Sequence, residues 1–152
     1  MQIQRLAIIS ATALTSATPA VAQPADGSAA FAGHWRVAGV AVSDSGVQAL
    51  TDNDPSLVGK GLTFNAKGLA WDQPSATRDS CLRPTFQRLA TPAPAALRPQ
   101  LRKLGLPRPT PFAIRCQSGS WGPRATPVIF RGAGGTLALP WYDGGVLKLV
   151  RK

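Results

Sequence analysis

Residues 31–42 read FAGHWRVAGVAV. Trp35, Val37, Gly39 and Ala41 alternate with His34, Arg36, Ala38 and Val40. A period of two carried by valines and an aromatic predicts a strand, with the Trp35 face turned to a core. The last such run is residues 146–152, VLKLVRK, where Leu147, Leu149 and Arg151 share one face. Six further runs lie between them, centred on Phe64, Leu69–Trp71, Cys81–Phe86, Phe112–Cys116, Val128–Phe130 and Leu137–Trp141. Asn65–Gly68 and Asp143-Gly144 read as hairpin connections, and Pro84 marks an edge, bulge or bend in the fourth run. Leu97, Leu101 and Leu104 have helical spacing. Pro99 starts or shortens that helix, and Gly105 with Pro107 stops it. The expected fold is mainly β: a small eight-stranded up-and-down antiparallel barrel, with one short helix between the fourth and fifth strands.

In such a barrel the first and last strands are antiparallel neighbours. The start of one meets the end of the other, which sets Trp35 beside Arg151 on the inner face of one rim. A guanidinium lying on an indole gains roughly 0.5–2 kcal/mol and closes that end. Gly33 and Trp35 opening the first strand, with Arg151 ending the last, resemble the pattern of the calycin group, and of the lipocalins above all. The resemblance implies a ligand-carrying barrel. The chain departs from it in being shorter, and in carrying its helix mid-chain instead of before the last strand.

The first residues, MQIQRLAIISATALTSATPAVAQ, have a positive start at Arg5, an apolar run and the small-residue pattern Ala20-Val21-Ala22. They read as a secretory signal peptide over residues 1–22, cleaved after Ala22. The run is too short and too interrupted to remain as a membrane span. Residues 23–32 are expected to be a flexible lead-in and residues 33–152 the barrel domain. The expected location is periplasmic or secreted. There the two cysteines, Cys81 and Cys116, would pair. Neither they nor His34, the only histidine, supply enough ligands for a metal. Asp52-Asn53-Asp54-Pro55 lacks the glycine and distal glutamate of a calcium loop and reads as turn chemistry.

The formal charge is +10. Losing the single charge of Arg5 with the signal leaves +9, and all seven acids are aspartates. The run Arg78–Arg131 is strongly basic, with Asp79 its one acid. Such a field favours an anionic partner, whether a lipid, another small anion or an anionic envelope surface. Export disfavours nucleic acid. Strand order places Trp71, Trp121, Trp141 and Tyr142 at the rim opposite Trp35, with Lys60, Arg78 and Arg124 around them. An aromatic mouth with a cationic fringe suits an amphipathic anion. The same rings would also serve simply to plug a narrow barrel.

The chain has no phosphate loop, no Gly-x-Ser-x-Gly and no Cys-x-x-Cys. His34 falls on the outward face of its strand. No catalytic residue and no cofactor is assigned, and the reading is of a non-enzymatic binding protein. Ser118-Gly119-Ser120-Trp121 resembles the Ser-Gly segment of periplasmic lysozyme inhibitors, which implies an alternative inhibitor role for the Gln117–Pro127 loop. A basic inhibitor would meet a basic enzyme against repulsion. A third reading is a structural basic surface protein with no pocket.

Overall fold

The computed structural model describes residues 28–75 and 77–152. The expected signal peptide, its cleavage point and residues 23–27 lie outside the described residues. Ten strands form one antiparallel sheet. They are β1 (Gly33–Ala41), β2 (Gly61–Phe64), β3 (Gly68–Trp71), β4 (Ser80–Leu82), β5 (Thr85–Arg88), β6 (Thr110–Arg115), β7 (Ser118–Ser120), β8 (Val128–Arg131), β9 (Leu137–Pro140) and β10 (Val146–Arg151). The bonded order is β5-β6-β8-β9-β10-β1-β2-β3-β4-β7. Helices are few and short: α1 (Ser28–Phe31), α2 (Arg98–Lys103) and three single 3₁₀ turns. None of the described helices is long and apolar enough to cross a membrane.

The expected count of eight strands becomes ten for local reasons. Arg83 takes φ 45°, which a strand cannot continue through, and Pro84 has no N–H to donate. The fourth run therefore splits into β4 and β5. Ser118–Ser120, expected as loop, forms β7 by pairing with β4, Cys81 opposite Gly119. The helix accordingly falls between β5 and β6, not between the fourth and fifth strands. The split leaves the register intact. Thr85 faces Arg115 and Leu82 faces Ser118, so β4–β5 and β6–β7 run beside each other across the break. β5 and β7, the two ends of the bonded order, each continue in the chain into the other's partner. The sheet thus curls into a half-barrel whose two end strands lead into these bent segments. The Cys81–Cys116 disulfide joins them there, with Cα atoms 5.1 Å apart.

β1 sits between β10 and β2. Trp35 pairs with Arg151 and Val37 with Leu149, but Gly39 pairs with Lys148, so Ala38 is an extra residue. That bulge exchanges the two faces of the strand. Trp35 and Val37 point inward, and so does Val40; Ala41 turns outward. The unbroken alternation expected over residues 34–41 is therefore corrected at Ala38.

Two apolar layers result. Inside the curl lie Trp35, Val37, Leu62, Phe64, Leu69, Ile129, Leu147 and Leu149. Outside it, Leu101 of α2, with Leu104 and Leu106 just beyond the helix, packs on Ala41, Phe130, Ala138 and Val146. Each buried leucine contributes about 1.5–3 kcal/mol. Pro99 begins the helix and does not break it. Arg98 and Arg102 are exposed, while Lys103 reaches across to Asp44 (2.6 Å) and Asp52 (3.3 Å). The Asp52–Pro55 segment does act as a turn: Asp54 accepts bonds from the Ser56 hydroxyl and the Ser56 and Thr51 amides.

Residues 28–32, expected as part of a loose lead-in, instead cap one end of the curl. Phe31 is fully buried, stacked on Phe86 at 4.2 Å and edge-on to Phe112 at 5.0 Å. The Trp35 indole donates to the Phe31 carbonyl at 2.8 Å. Arg151 lies over the Trp35 ring, its Cζ 4.6 Å from the centroid, and donates to the carbonyls of Ala32 (2.8 Å) and Ala30 (3.1 Å). Gly33 is required in this knot. Its φ is +136°, and a Cβ there would stand 2.5 Å from the Arg151 Nη1.

Candidate functional site

The rim opposite Phe31 gathers three tryptophans and the tyrosine. Trp71 ends β3, Trp121 follows β7, and Trp141 with Tyr142 follows β9. Their rings touch. Trp71 lies 5.3 Å from Trp141 and 6.1 Å from Trp121, Trp121 lies 6.0 Å from Trp141, and Tyr142 lies 5.1 Å from Trp141. Trp121 is fully buried, Trp141 nearly so and Trp71 half-buried. The sequence brings the predicted aromatic residues together, and the rings fill the mouth by packing on one another.

An acid sits among them. One carboxylate oxygen of Asp79 accepts from the Gly122 amide at 2.8 Å and from the Tyr142 hydroxyl at 2.9 Å. Burial, reinforced by that bond and by the Asp79 charge, pushes the Tyr142 phenol above its ordinary range. The other oxygen of Asp79 and the indole nitrogens of Trp71 and Trp121 are buried without a protein partner. Buried indole donors call for an acceptor and the carboxylate oxygen for a donor, needs that small polar groups such as water or a hydroxyl meet. An anionic headgroup would instead meet the Asp79 charge. Lys60 is half-buried, and Arg78 and Arg124 are exposed; no ion pair among the described residues engages any of them.

His34 points outward, as expected. Its Nδ1 lies 2.9 Å from the Thr63 hydroxyl, which donates to Asp72, and Asp72 pairs with Lys152 at 3.0 Å. This is a polar ladder across β1, β2 and β3 on the solvent side of the sheet.

A concavity that the sequence reading missed lies near the Phe31 end. It measures about 360 Å³ and runs between α1, the β2–β3 hairpin tip and the β4–β5 break. Ala29, Ala32, Phe64, Pro84 and Phe86 make it mainly apolar, and Arg83 stands at its edge. A more open groove continues past Arg83 to Lys67 and Leu82. The signals for it were the Arg83-Pro84 break and the short SAAF helix, neither of which announces a cavity without the tertiary arrangement.

No protein-family model, no curated protein and no solved structure matches the chain.

Proposed function

We propose that this chain is a non-enzymatic exported binding protein of lipocalin-like form that adheres to an anionic lipid surface through its exterior. One observation carries the reading. From Ser80 to Tyr142 the sequence contains no acid but nine basic residues, Arg83 to Arg131. That stretch supplies β4 to β9 and the connections between them. Its arginines at 88, 115 and 131 sit exposed on β5, β6 and β8, three neighbouring strands. Arg98, Arg102 and Arg108 are exposed on the connection from β5 to β6. Of the nine, only Lys103 forms an ion pair among the described residues.

Cations near an anionic membrane surface gain about 1 kcal/mol each, and the attraction decays within a Debye length. Exposed arginines that form no ion pair among the described residues, Arg88 and Arg131 on one side of their strands with Arg98, Arg102 and Arg108 on the adjoining connection, therefore support reversible adhesion. The packed tryptophan mouth and its Asp79 favour this exterior mode over an anion held in the mouth. The lipocalin-like reading rests on Gly33, Trp35 and Arg151.

The test is co-sedimentation of the exported chain with lipid vesicles. Anionic vesicles should bind it at low salt and release it as salt rises, and neutral vesicles should not bind it. Equal partition between anionic and neutral vesicles would reject the proposal, as would no binding to either.

A further inference from the structure

We infer that the concavity between α1 and the β4–β5 break is a binding site for a single-chain amphipathic anion, with the apolar chain along Ala29, Ala32 and Phe86 and the anionic group on Arg83 and Lys67. This goes beyond surface adhesion, because it assigns a bounded site with a preferred ligand class.

Size and lining fit such a ligand. A volume of about 360 Å³ falls within the range of small-molecule sites, and the walls are apolar with a few polar groups at one side. Charge fits as well. Arg83 lines both the concavity and the more open groove beyond it, and Lys67 lines that groove. Neither concavity is lined by a carboxylate, and neither cation is ion-paired among the described residues. Leu82, beside Arg83 and 54% exposed, extends the apolar surface past the cations.

The backbone adds an independent sign. Arg83 holds φ 45°, a left-handed conformation that glycine or asparagine takes at far less cost than arginine. The Arg83 amide donates to the Lys67 carbonyl at 3.0 Å, which fixes the two cations' backbones side by side. A large cation placed at a glycine-favouring kink, on the lip of an apolar trough, is explained by a ligand that needs the charge.

That same φ makes the test clean, since Arg83→Gly removes the guanidinium while relieving the backbone. The experiment is calorimetric titration of the exported, oxidised chain with dodecanoate, decanoate and dodecanol below their aggregation thresholds. Dodecanoate should bind saturably at one site. Decanoate, two methylenes shorter, should bind about fifteenfold more weakly, at roughly fourfold per methylene. Dodecanol, lacking the charge, should bind at least about tenfold more weakly than dodecanoate. The R83G/K67Q double variant should lose that tenfold for dodecanoate and nothing for dodecanol, with no fall in melting temperature. Ala29→Asp, at an exposed position of the trough, should weaken dodecanoate further. Dodecyl phosphate in place of dodecanoate separates the headgroups: equal binding defines the class by its charge, and a preference for either narrows it. Absence of saturable binding would overturn the inference. So would dodecanoate binding that survives R83G/K67Q, and binding lost only in Trp71→Ala would move the site to the aromatic mouth. Vesicle adhesion that persists while dodecanoate fails to bind would reject this site and leave surface adhesion standing.

Discussion

Substituting Gly33 by alanine tests the knot that closes the Phe31 end. Two costs add. The φ of +136° is one that alanine reaches only with strain, on the order of 1–3 kcal/mol. The new Cβ would also stand 2.5 Å from the Arg151 Nη1, so the guanidinium must shift away from Gly33. Its departure gives up the contact over Trp35 and two hydrogen bonds to the Ala30 and Ala32 carbonyls. Arg151 is exposed, so these losses are taken at the low end, about 1–2 kcal/mol together. Gly33→Ala should therefore cost about 2–5 kcal/mol. In an Arg151→Ala background only the backbone strain remains, and the same substitution should cost about 1–3 kcal/mol. The difference is a coupling energy of about 1–2 kcal/mol, read by urea unfolding of the oxidised protein with tryptophan fluorescence. An equal cost in both backgrounds would show that Arg151 does not lie against Gly33, and the account of this rim would fail.

Phe31→Ala should destabilise by about 3–5 kcal/mol, in the same unfolding assay, because it empties a fully buried ring site between Phe86 and Phe112; a loss below 1 kcal/mol would return residues 28–32 to a loose lead-in. The Cys81–Cys116 bridge closes a loop of 35 positions, so reduction should cost about 4 kcal/mol, and both thiols should resist alkylation until reduced. Tyr142 is the only tyrosine, so the near-ultraviolet absorbance change on phenol ionisation follows it alone. Its midpoint should lie above the ordinary value of about 10 and fall in Asp79→Asn. Because the folded state holds that proton more tightly, the associated stability is present below pH ~10 and lost as pH rises through the raised value. A midpoint at 10 that is indifferent to Asp79→Asn would remove the buried bond.

The pairing of Trp35 with Arg151 and the antiparallel frame were legible because alternation and strand order need only local pattern and chain sequence. The bridge between Cys81 and Cys116 was legible for another reason, since two cysteines in a chain expected to be exported read as a pair. The bulge at Ala38 was not, because an alanine between valine and glycine carries no sign that it will be the unpaired residue. β7 escaped because Ser-Gly-Ser has no intrinsic preference for a strand and becomes one only when β4 offers it a ladder. Phe31 looked like the tail of a lead-in, since a four-residue helix has no periodicity to read. At the mouth, the meeting of four aromatic rings followed from topology. Asp79 at its centre did not, because its partners Gly122 and Tyr142 lie 43 and 63 positions away.

The pairing of β1 with β10 also sets a timetable. β1 is among the earliest strands to be made, and the ladder holding its Trp35 is completed by Arg151, 116 positions later. A chain delivered from its N-terminus at about 5–20 residues per second thus carries β1 with one flank unpaired until Arg151 has emerged. Closing so distant a contact is slow, and an open strand edge invites pairing with other chains in the interval. β4 and β7, by contrast, can meet and be bridged as soon as residue 120 is free. The β2–β3 hairpin and then the β4–β7 ladder can both pair before β10 is free, so β10 acts as a latch whose loss would leave β1 and β9 exposed as sticky edges.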